Sequence, residues 1–241
     1  MRIVVGGIIH YRATIQQHLR SVLALDNGKH ELKHAWVVDN SPEVVRLLEG
    51  DADAIVDARI PGDRYKREQL PASRRRPIYA RLAALRNMLA EVAISLGADA
   101  LLSIDSDIVV PKHLLVKLAD VDVDWVAALV RNGAEPTIYN VFKLVNNHVK
   151  RFAPIVYEGG FQRPTSAVWY DPQDEGKKPC LAAGAVCMYS RRLLESARWS
   201  TDGRGCQEDV GFARNAHAEG FSAWYVPVIC RHLTVGGADG N

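Results

Sequence analysis

No run of apolar residues in this chain approaches the roughly 20 that a membrane-spanning helix needs, so no span is expected. A dominant charge is missing too: 30 Lys and Arg against 28 Asp and Glu leave a net charge of +2. So even a balance gives no global field to draw nucleic acid or a membrane surface. Cysteine is scarce, and Cys180, Cys187, Cys206 and Cys230 show neither CxxC nor CxxH spacing, which argues against a zinc site. The start, Met1-Arg2-Ile3-Val4-Val5, carries one charge and a short apolar run that stops at Gly6-Gly7. That pattern reads as a first strand, not a secretory signal. Without an export signal the thiols are expected to be reduced and the protein cytoplasmic. Internal repeats and low-complexity segments are also lacking.

What remains is ordinary globular composition. The 241 residues are 48% hydrophobic and 24% charged, enough for a full core in one large domain or one domain with an appended lobe. Arg2 to Ile9 is a β-branched run, and Thr14 to Leu25 places Ile15, Leu19, Val22 and Leu23 at helical spacing. A second strand, Glu31 to Asp39, ends at Asp39-Asn40. Ser41-Pro42 then supplies an N-cap and an N1 proline for a helix that Gly50 ends. Ala54-Ile55-Val56 is a third strand. This alternation predicts a parallel sheet flanked by helices.

Arg59 to Pro77 breaks the pattern and is dense in Arg64, Lys66, Arg67, Arg74, Arg75 and Arg76. Ile78 to Leu96 follows as an amphipathic helix, with Leu82, Leu85, Met88, Leu89, Val92 and Leu96 on one stripe and Gly97 just past its end. After the next strand, Pro111 opens a helix from Lys112 to Leu118, and Asp124 to Val130 is again a strand. Glu135 to Lys150 has the texture of antiparallel strands, and Arg151 to Pro179 reads as a long loop, in compact domains often a lid or binding loop. Ala182 to Tyr189 is a small-residue strand, Ser190 caps a helix through Ala197, and Gln207 to Glu219 is helical. Ser222 to Val228 is the last strand, before a tail from His232.

Within this frame the segment Leu101 to Pro111 stands out. Its apolar residues before Asp105 predict a strand buried on both faces, and Asp105-Ser106-Asp107 emerges where ligands bind in parallel sheets. Two anions so close repel unless something positive sits beside them. A hard divalent cation, Mn²⁺ or Mg²⁺, would serve, because it takes a few carboxylates and completes its shell with water and phosphate oxygens. A simple turn after a strand uses the same residue types.

Other candidates have equally local alternatives. Glu208-Asp209 opens a predicted helix behind Asp202-Gly203-Arg204-Gly205, a place where acids favour the helix dipole and where a carboxylate can act as a general base. His232 follows the last strand, and imidazole suits a divalent metal that also holds a carboxylate; the other histidines have no distinguishing context. Gly184 lies in Ala182-Ala183-Gly184-Ala185-Val186, either a close-packed strand or a point of backbone approach to a ligand. Arg86, the best placed of a basic group that includes Arg81, could neutralise phosphate or face solvent. Asp39, at a strand end, suits a base or ribose contact as well as a turn. Phe161, Trp169 and Tyr170 could stack on sugar faces or fill a small core.

Together these motifs resemble those of GT-A fold glycosyltransferases, which use nucleotide-sugar donors. Asp105-Ser106-Asp107 resembles the DXD motif, and Leu181 to Tyr189 with Gly184 is similar to the glycine loop. Gln207-Glu208-Asp209 resembles the xED motif, and His232 the C-terminal histidine. Ala80 to Leu118 is also similar to the matching part of Golgi mannan-polymerase mannosyltransferases. The resemblance implies an α/β, Rossmann-like GT-A fold: a mostly parallel central sheet flanked by helices, with a small antiparallel acceptor-side portion. It implies one domain over 1–241, with 1–120 binding the nucleotide sugar and 121–241 forming the acceptor-side and catalytic half.

The resemblance also implies roles. Asp107 and His232 would bind Mn²⁺ or Mg²⁺ with the donor diphosphate, and Asp105 would contact ribose or a metal-bound water. Asp39 would sit by the base of a UDP- or GDP-sugar, Arg86 and Gly184 near the donor. Asp209 would be the base of an inverting enzyme, with Glu208 holding the acceptor, whether glycan, protein or small molecule. A nucleotidyltransferase shares this architecture but usually shows a glycine-rich, basic signature after the first strand; here Gly6 to Arg12 has no lysine. A non-catalytic sugar-nucleotide or glycan-binding module would not need Asp209.

Overall fold

A computed structural model of the protein describes residues 1–9, 14–60, 76–132, 138–145, 148–154, 167–170, 176–201 and 207–233. The first half alternates β1 (Arg2–Ile9), α1 (Ile15–Leu23), β2 (Glu31–Asp39), α2 (Pro42–Leu48), β3 (Ala54–Ala58), α3 (Arg76–Ser95) and β4 (Ala100–Ile104). β5 (Ile108–Val109), α4 (Leu114–Ala119) and β6 (Trp125–Asn132) follow. Short strands come next: β7 (Ile138–Tyr139), β8 (Val141–Val145), β9 (His148–Pro154), β10 (Ala167–Tyr170), β11 (Lys178–Cys180), β12 (Ala182–Ala183) and β13 (Val186–Ser190). The chain then forms α5 (Arg191–Ser196), α6 (Glu208–Ala218) and β14 (Ala223–His232).

The main sheet runs β11-β14-β6-β13-β4-β1-β2-β3, with β5 on β14 and β7 on β6. β1 to β4 are mutually parallel, and β14 is parallel to β6, whereas β13 is antiparallel to both β4 and β6. A second sheet, β10-β9-β8-β12, is antiparallel at β8–β9 and β8–β12. The strand period of two sorts side chains onto two faces. Val4, Leu101, Trp125 and Tyr189 pack beneath α3, α5 and α6, whereas Ile3, Leu102, Val126 and Met188 pack beneath α1, α2 and α4. Leu101, Leu102 and Ile104 of β4 have no exposed surface, and each such burial contributes about 1.5–3 kcal/mol. This mixed sheet between two helical layers matches the expected fold class. Among the described residues, no helix is long and apolar enough to cross a membrane.

Several local expectations need correction. Ser41 precedes α2 without capping it through its side chain; its hydroxyl instead donates to Asp39 O at 3.2 Å. Along α3, Leu85 and Leu89 are buried, while Leu82, Met88 and Val92 form a half-buried margin that Leu96, just past the helix, continues. Arg151 to Pro179 is not a plain loop: β9 runs through its start, and β10 pairs with β9 in parallel. Ala182 to Tyr189 is two strands in two sheets, because Ala185 takes a positive φ of 66° that no continuous strand contains. β14 is longer than expected and reaches His232, with Pro227 inside a register shift that spares it a ladder bond.

Candidate active site

β4 delivers Asp105 at its carboxyl end. There the chain turns, with Ile108 N donating to Asp105 O at 3.1 Å, so the backbone is indeed a strand-end turn. The side chains show that the turn does more. β5 pairs with the end of β14, Ile108 opposite His232, and Leu233 N donates to Asp107 O at 2.6 Å. This register brings His232 Nε2 to 3.5 Å from Asp107 Oδ2. From the opposite layer, His18 of α1 is fully buried and donates through Nδ1 to Ile108 O at 2.7 Å. Burial pulls the His18 pKa down, against the carbonyl and the nearby Asp107 and Asp105, so the ring is held neutral.

Asp105 faces the other way, toward Arg86 of α3. Arg86 Nη2 donates to Asp105 Oδ1 at 3.1 Å, and Arg86 Nε lies 3.7 Å from both Glu208 Oε1 and Asp209 Oδ1. The Arg86 and Glu208 side chains are each 6% exposed and Asp209 15%, so these charges sit largely out of water, while Asp105 at 32% opens toward solvent. Burial alone would lower the Arg86 pKa. The fields of Asp105, Asp209 and Glu208 outweigh it and hold the guanidinium well above its ordinary range. Within this group of four, carboxylates still outnumber the cation. Glu208 and Asp209 also occupy the first turn of α6, where the helix dipole favours anions. Beneath α6, Phe212 stacks on Trp199 at 4.1 Å and meets Trp125 and Tyr189 edge-on, a rigid apolar floor for the acidic turn.

The glycine segment closes the cluster from above. Val186 N donates to Gly184 O at 2.8 Å, making a three-residue γ-turn centred on Ala185, and Asp105 N donates to Ala185 O at 2.8 Å. A Cβ on Gly184 would overlap the Asp209 carboxylate and lie 2.8 Å from its Cγ. Glycine is required here by a neighbouring side chain, not by its own φ. Asp39, at the end of β2, accepts two bonds from Arg81 of α3: Nε to Oδ2 at 3.2 Å, and Nη2 to Oδ1. β2 and β4 both flank β1 in parallel, so Asp39 and Asp105 emerge at the same sheet edge.

The structure thus brings Arg86, Asp105, Gly184, Glu208 and Asp209 into one cluster, sets Asp107 beside His232, and places Asp39 on Arg81. Arg81 and Arg86, read from sequence as phosphate-neutralising or solvated, are both engaged by carboxylates. Arg64, Lys66, Arg67, Arg74, Arg75, Phe161 and 202–206 lie outside the described residues. Sequence reasoning passed over His18 and Asn140. His18 falls on the buried stripe of α1 with Ile15, Leu19 and Val22, and a histidine in that register was the available signal. Asn140, a polar interruption within Ile138 to Leu144, is buried.

A bound divalent metal is implied by the resemblance, and its fit is testable on the donors present. One carboxylate and one imidazole at 3.5 Å suit Mn²⁺ or Mg²⁺ with water and diphosphate oxygens in the remaining positions. Among the described residues, no group of three His, Cys, Asp or Glu is arranged to hold a metal alone. Burial near Asp209 pushes the Cys187 thiol up to about 12, which leaves it protonated and a poor ligand.

No protein-family model matches this chain, and no curated protein is significantly similar to it in sequence. Solved structures are similar in fold. The structure of GalNAc-T7 with UDP, GalNAc and Mn²⁺ superposes with a TM-score of 0.58 at 15% identity, covering 97% of this chain and 44% of that one. S. aureus TarS 1-349 gives 0.53 at 14% identity over 94% of this chain and 60% of that one. Its complex with UDP-GlcNAc gives 0.51 at 13% identity, over 99% and 60%. These are GT-A-type glycosyltransferases. The chain has the GT-A fold. It spans roughly half the length of these neighbours, from 44% to 60%. In the GT-A frame, the carboxylate cluster lies at the carboxyl edge of the parallel strands, where α/β sheets bind ligands.

Proposed function

We propose that this protein is a metal-assisted glycosyltransferase that moves a sugar from a nucleoside-diphosphate sugar to an acceptor hydroxyl. The observation that carries this reading is the meeting of Asp105 with Glu208 and Asp209 on Arg86, beside the Asp107–His232 pair. The similar structures carry UDP, GalNAc and Mn²⁺ in one case and UDP-GlcNAc in another, which supports the donor class. Asp107 and His232 would hold Mn²⁺ or Mg²⁺, whose chemistry when bound is Lewis-acid stabilisation of charge on the departing diphosphate.

The chain's own residues divide the remaining work. Asp105 contacts the donor ribose or a metal-bound water, and Asp39 with Arg81 lies by the base. Asp209 takes the proton from the acceptor hydroxyl as that oxygen bonds to the anomeric carbon and the bond to diphosphate breaks. The Arg86 charge offsets the repulsion that Asp105 and Glu208 exert on the Asp209 carboxylate. Glu208 orients the acceptor. Gly184 leaves room for Asp209 and lets the backbone approach the sugar.

The test is thermal unfolding of the purified protein with UDP, GDP, ADP and CDP, each with Mn²⁺ and with EDTA. A ligand at about 100 times its Kd stabilises by about 2.7 kcal/mol. One or more diphosphates should raise Tm with Mn²⁺, and the rise should vanish in EDTA and in Asp107→Asn. If no diphosphate moves Tm, the reading fails.

A further inference from the structure

Asn140 stands between β7 and β8 and is 6% exposed. Its Oδ1 accepts from Val130 N of β6 at 2.7 Å, and its Nδ2 donates to Gly184 O. The amide orientation follows from these partners, since a backbone N–H only donates and a carbonyl only accepts. Gly184 O therefore receives two bonds, one from Asn140 and one from Val186 N across the γ-turn. The next carbonyl, Ala185 O, receives the backbone N–H of Asp105. The Asp209 carboxylate packs where a Gly184 side chain would begin.

One buried amide thus grips the peptide that borders Asp105 on one side and Asp209 on the other. Ala185 holds a positive φ of 66° there, a conformation that persists only where surrounding contacts over-determine it. A strand break needs no such contact to exist. A break held in a sparsely populated conformation between two carboxylates does.

We propose that Asn140 is a positioning residue for sugar transfer, setting Asp105 and Asp209 relative to each other through the Gly184–Ala185 turn. This rests on the glycosyltransferase reading. Asn140 touches neither reacting group, so its effect falls on geometry at the moment of transfer. A displacement of about 1 Å in such a site costs about 10²-fold in rate. Donor affinity rests on Asp107, His232 and Asp39 as well as on Asp105, so it should move much less than kcat.

The experiment compares Asn140→Asp, Asn140→Ser and Ala185→Gly with the unmodified protein. In Asn140→Asp an ionised carboxylate can accept from Val130 N but cannot donate to Gly184 O, and it adds a buried charge beside that carbonyl; Asn140→Ser, too short to span both partners, releases the turn without that charge. Tm, diphosphate affinity with Mn²⁺, kcat and donor KM are measured, with a crystal structure of Asn140→Asp. The expected result is a folded Asn140→Asp or Asn140→Ser protein with affinity within about 3-fold and kcat lower by about 10²-fold. Ala185→Gly, which removes the positive-φ penalty, should keep Tm and lose about 10-fold in kcat as the turn loosens. Unchanged kcat in a folded Asn140 variant overturns the proposal. So does a crystal structure in which the turn and Asp209 keep their places, whatever reaction is catalysed. Absence of diphosphate binding by the unmodified protein refutes the glycosyltransferase reading instead, and the crystallographic arm still decides the role of Asn140.

Discussion

Helix α3 carries Arg81 and Arg86, both bonded to carboxylates at the ends of parallel strands, yet the two sites are built for different work. Arg81 grips Asp39 in a bidentate fork, with the side chains 13% and 14% exposed. Arg86, at 6%, reaches Asp105 through Nη2 alone, at 3.1 and 3.5 Å from its two oxygens, and stands 3.7 Å from both Glu208 and Asp209. A fork on one carboxylate gives geometry. A cation shared among several gives charge balance, and it joins β4 to α6, elements far apart in sequence. The difference teaches that the first arginine can be lost at modest cost to the fold, while the second cannot be lost without stranding buried charge.

Arg86→Met should have the largest effect. Removing one member of a buried ion cluster costs about 3–5 kcal/mol, because the remaining charges stay uncompensated. For a chain of this size that is a Tm drop on the order of 10 °C. Arg86→Lys should restore part of it, since the charge returns without the planar fork. A Met variant as stable as the parent would erase the contrast with Arg81. Asp209→Asn follows, on activity instead of stability. It relieves repulsion within the cluster and fits the same space against Gly184, so Tm should hold or rise. Removing a general base costs about 10²–10⁴-fold in kcat. Retained turnover in Asp209→Asn would sink its role as base.

These pairings mark where the sequence was legible. The parallel half was readable because its strands are bounded by caps and turn residues, and because β4 is apolar enough to be buried on both faces. Ser190 capping α5 was equally plain, and its hydroxyl accepts from Leu193 N at 3.2 Å. The Asp pair, Glu208-Asp209 and His232 were identifiable as candidates, and the resemblance paired Asp107 with His232; the meeting of Asp105 with Glu208 and Asp209 on Arg86 was not legible. The sequence leaves Arg86 between a phosphate contact and solvent, and nothing in it points to Glu208, 122 positions on. The turn at Gly184–Ala185 was hidden for a different reason. Alanine rarely takes positive φ, and the bonds from Asn140, Val186 and Asp105 hold it there. β10 escaped notice because it gains its place from pairing with β9, not from a pattern of its own.

Gly184→Ala sharpens the comparison from the carboxylate side. The added methyl must displace Asp209 from the position it holds near Arg86. Overpacking of this kind costs about 1–3 kcal/mol, and the misplaced base about 10²-fold in kcat. Calorimetry and steady-state kinetics on one preparation separate the two effects. Full activity would mean that Asp209 need not sit against the glycine.

The smallest effect on activity is expected at Arg81, and it decides whether the Arg81–Asp39 pair serves the donor. Arg81→Ala removes both bonds to Asp39, whose side chain keeps 14% of its surface in water, so the loss should be about 1.5–3 kcal/mol. If Asp39 lies by the donor base, Arg81 holds the carboxylate in the orientation the base meets. Its loss should then weaken nucleoside-diphosphate binding by about 10-fold, the equivalent of a single neutral hydrogen bond of about 1.4 kcal/mol. kcat at saturating donor should not change, because the base is remote from the bond that breaks. Titration calorimetry with the diphosphate and Mn²⁺ reads the affinity directly. Weaker binding with unchanged kcat assigns Arg81 to the donor and Arg86 to the chemistry. Unchanged affinity, with only the modest drop in Tm, would make the Arg81–Asp39 fork a clasp between β2 and α3, and the base contact would have to be sought elsewhere.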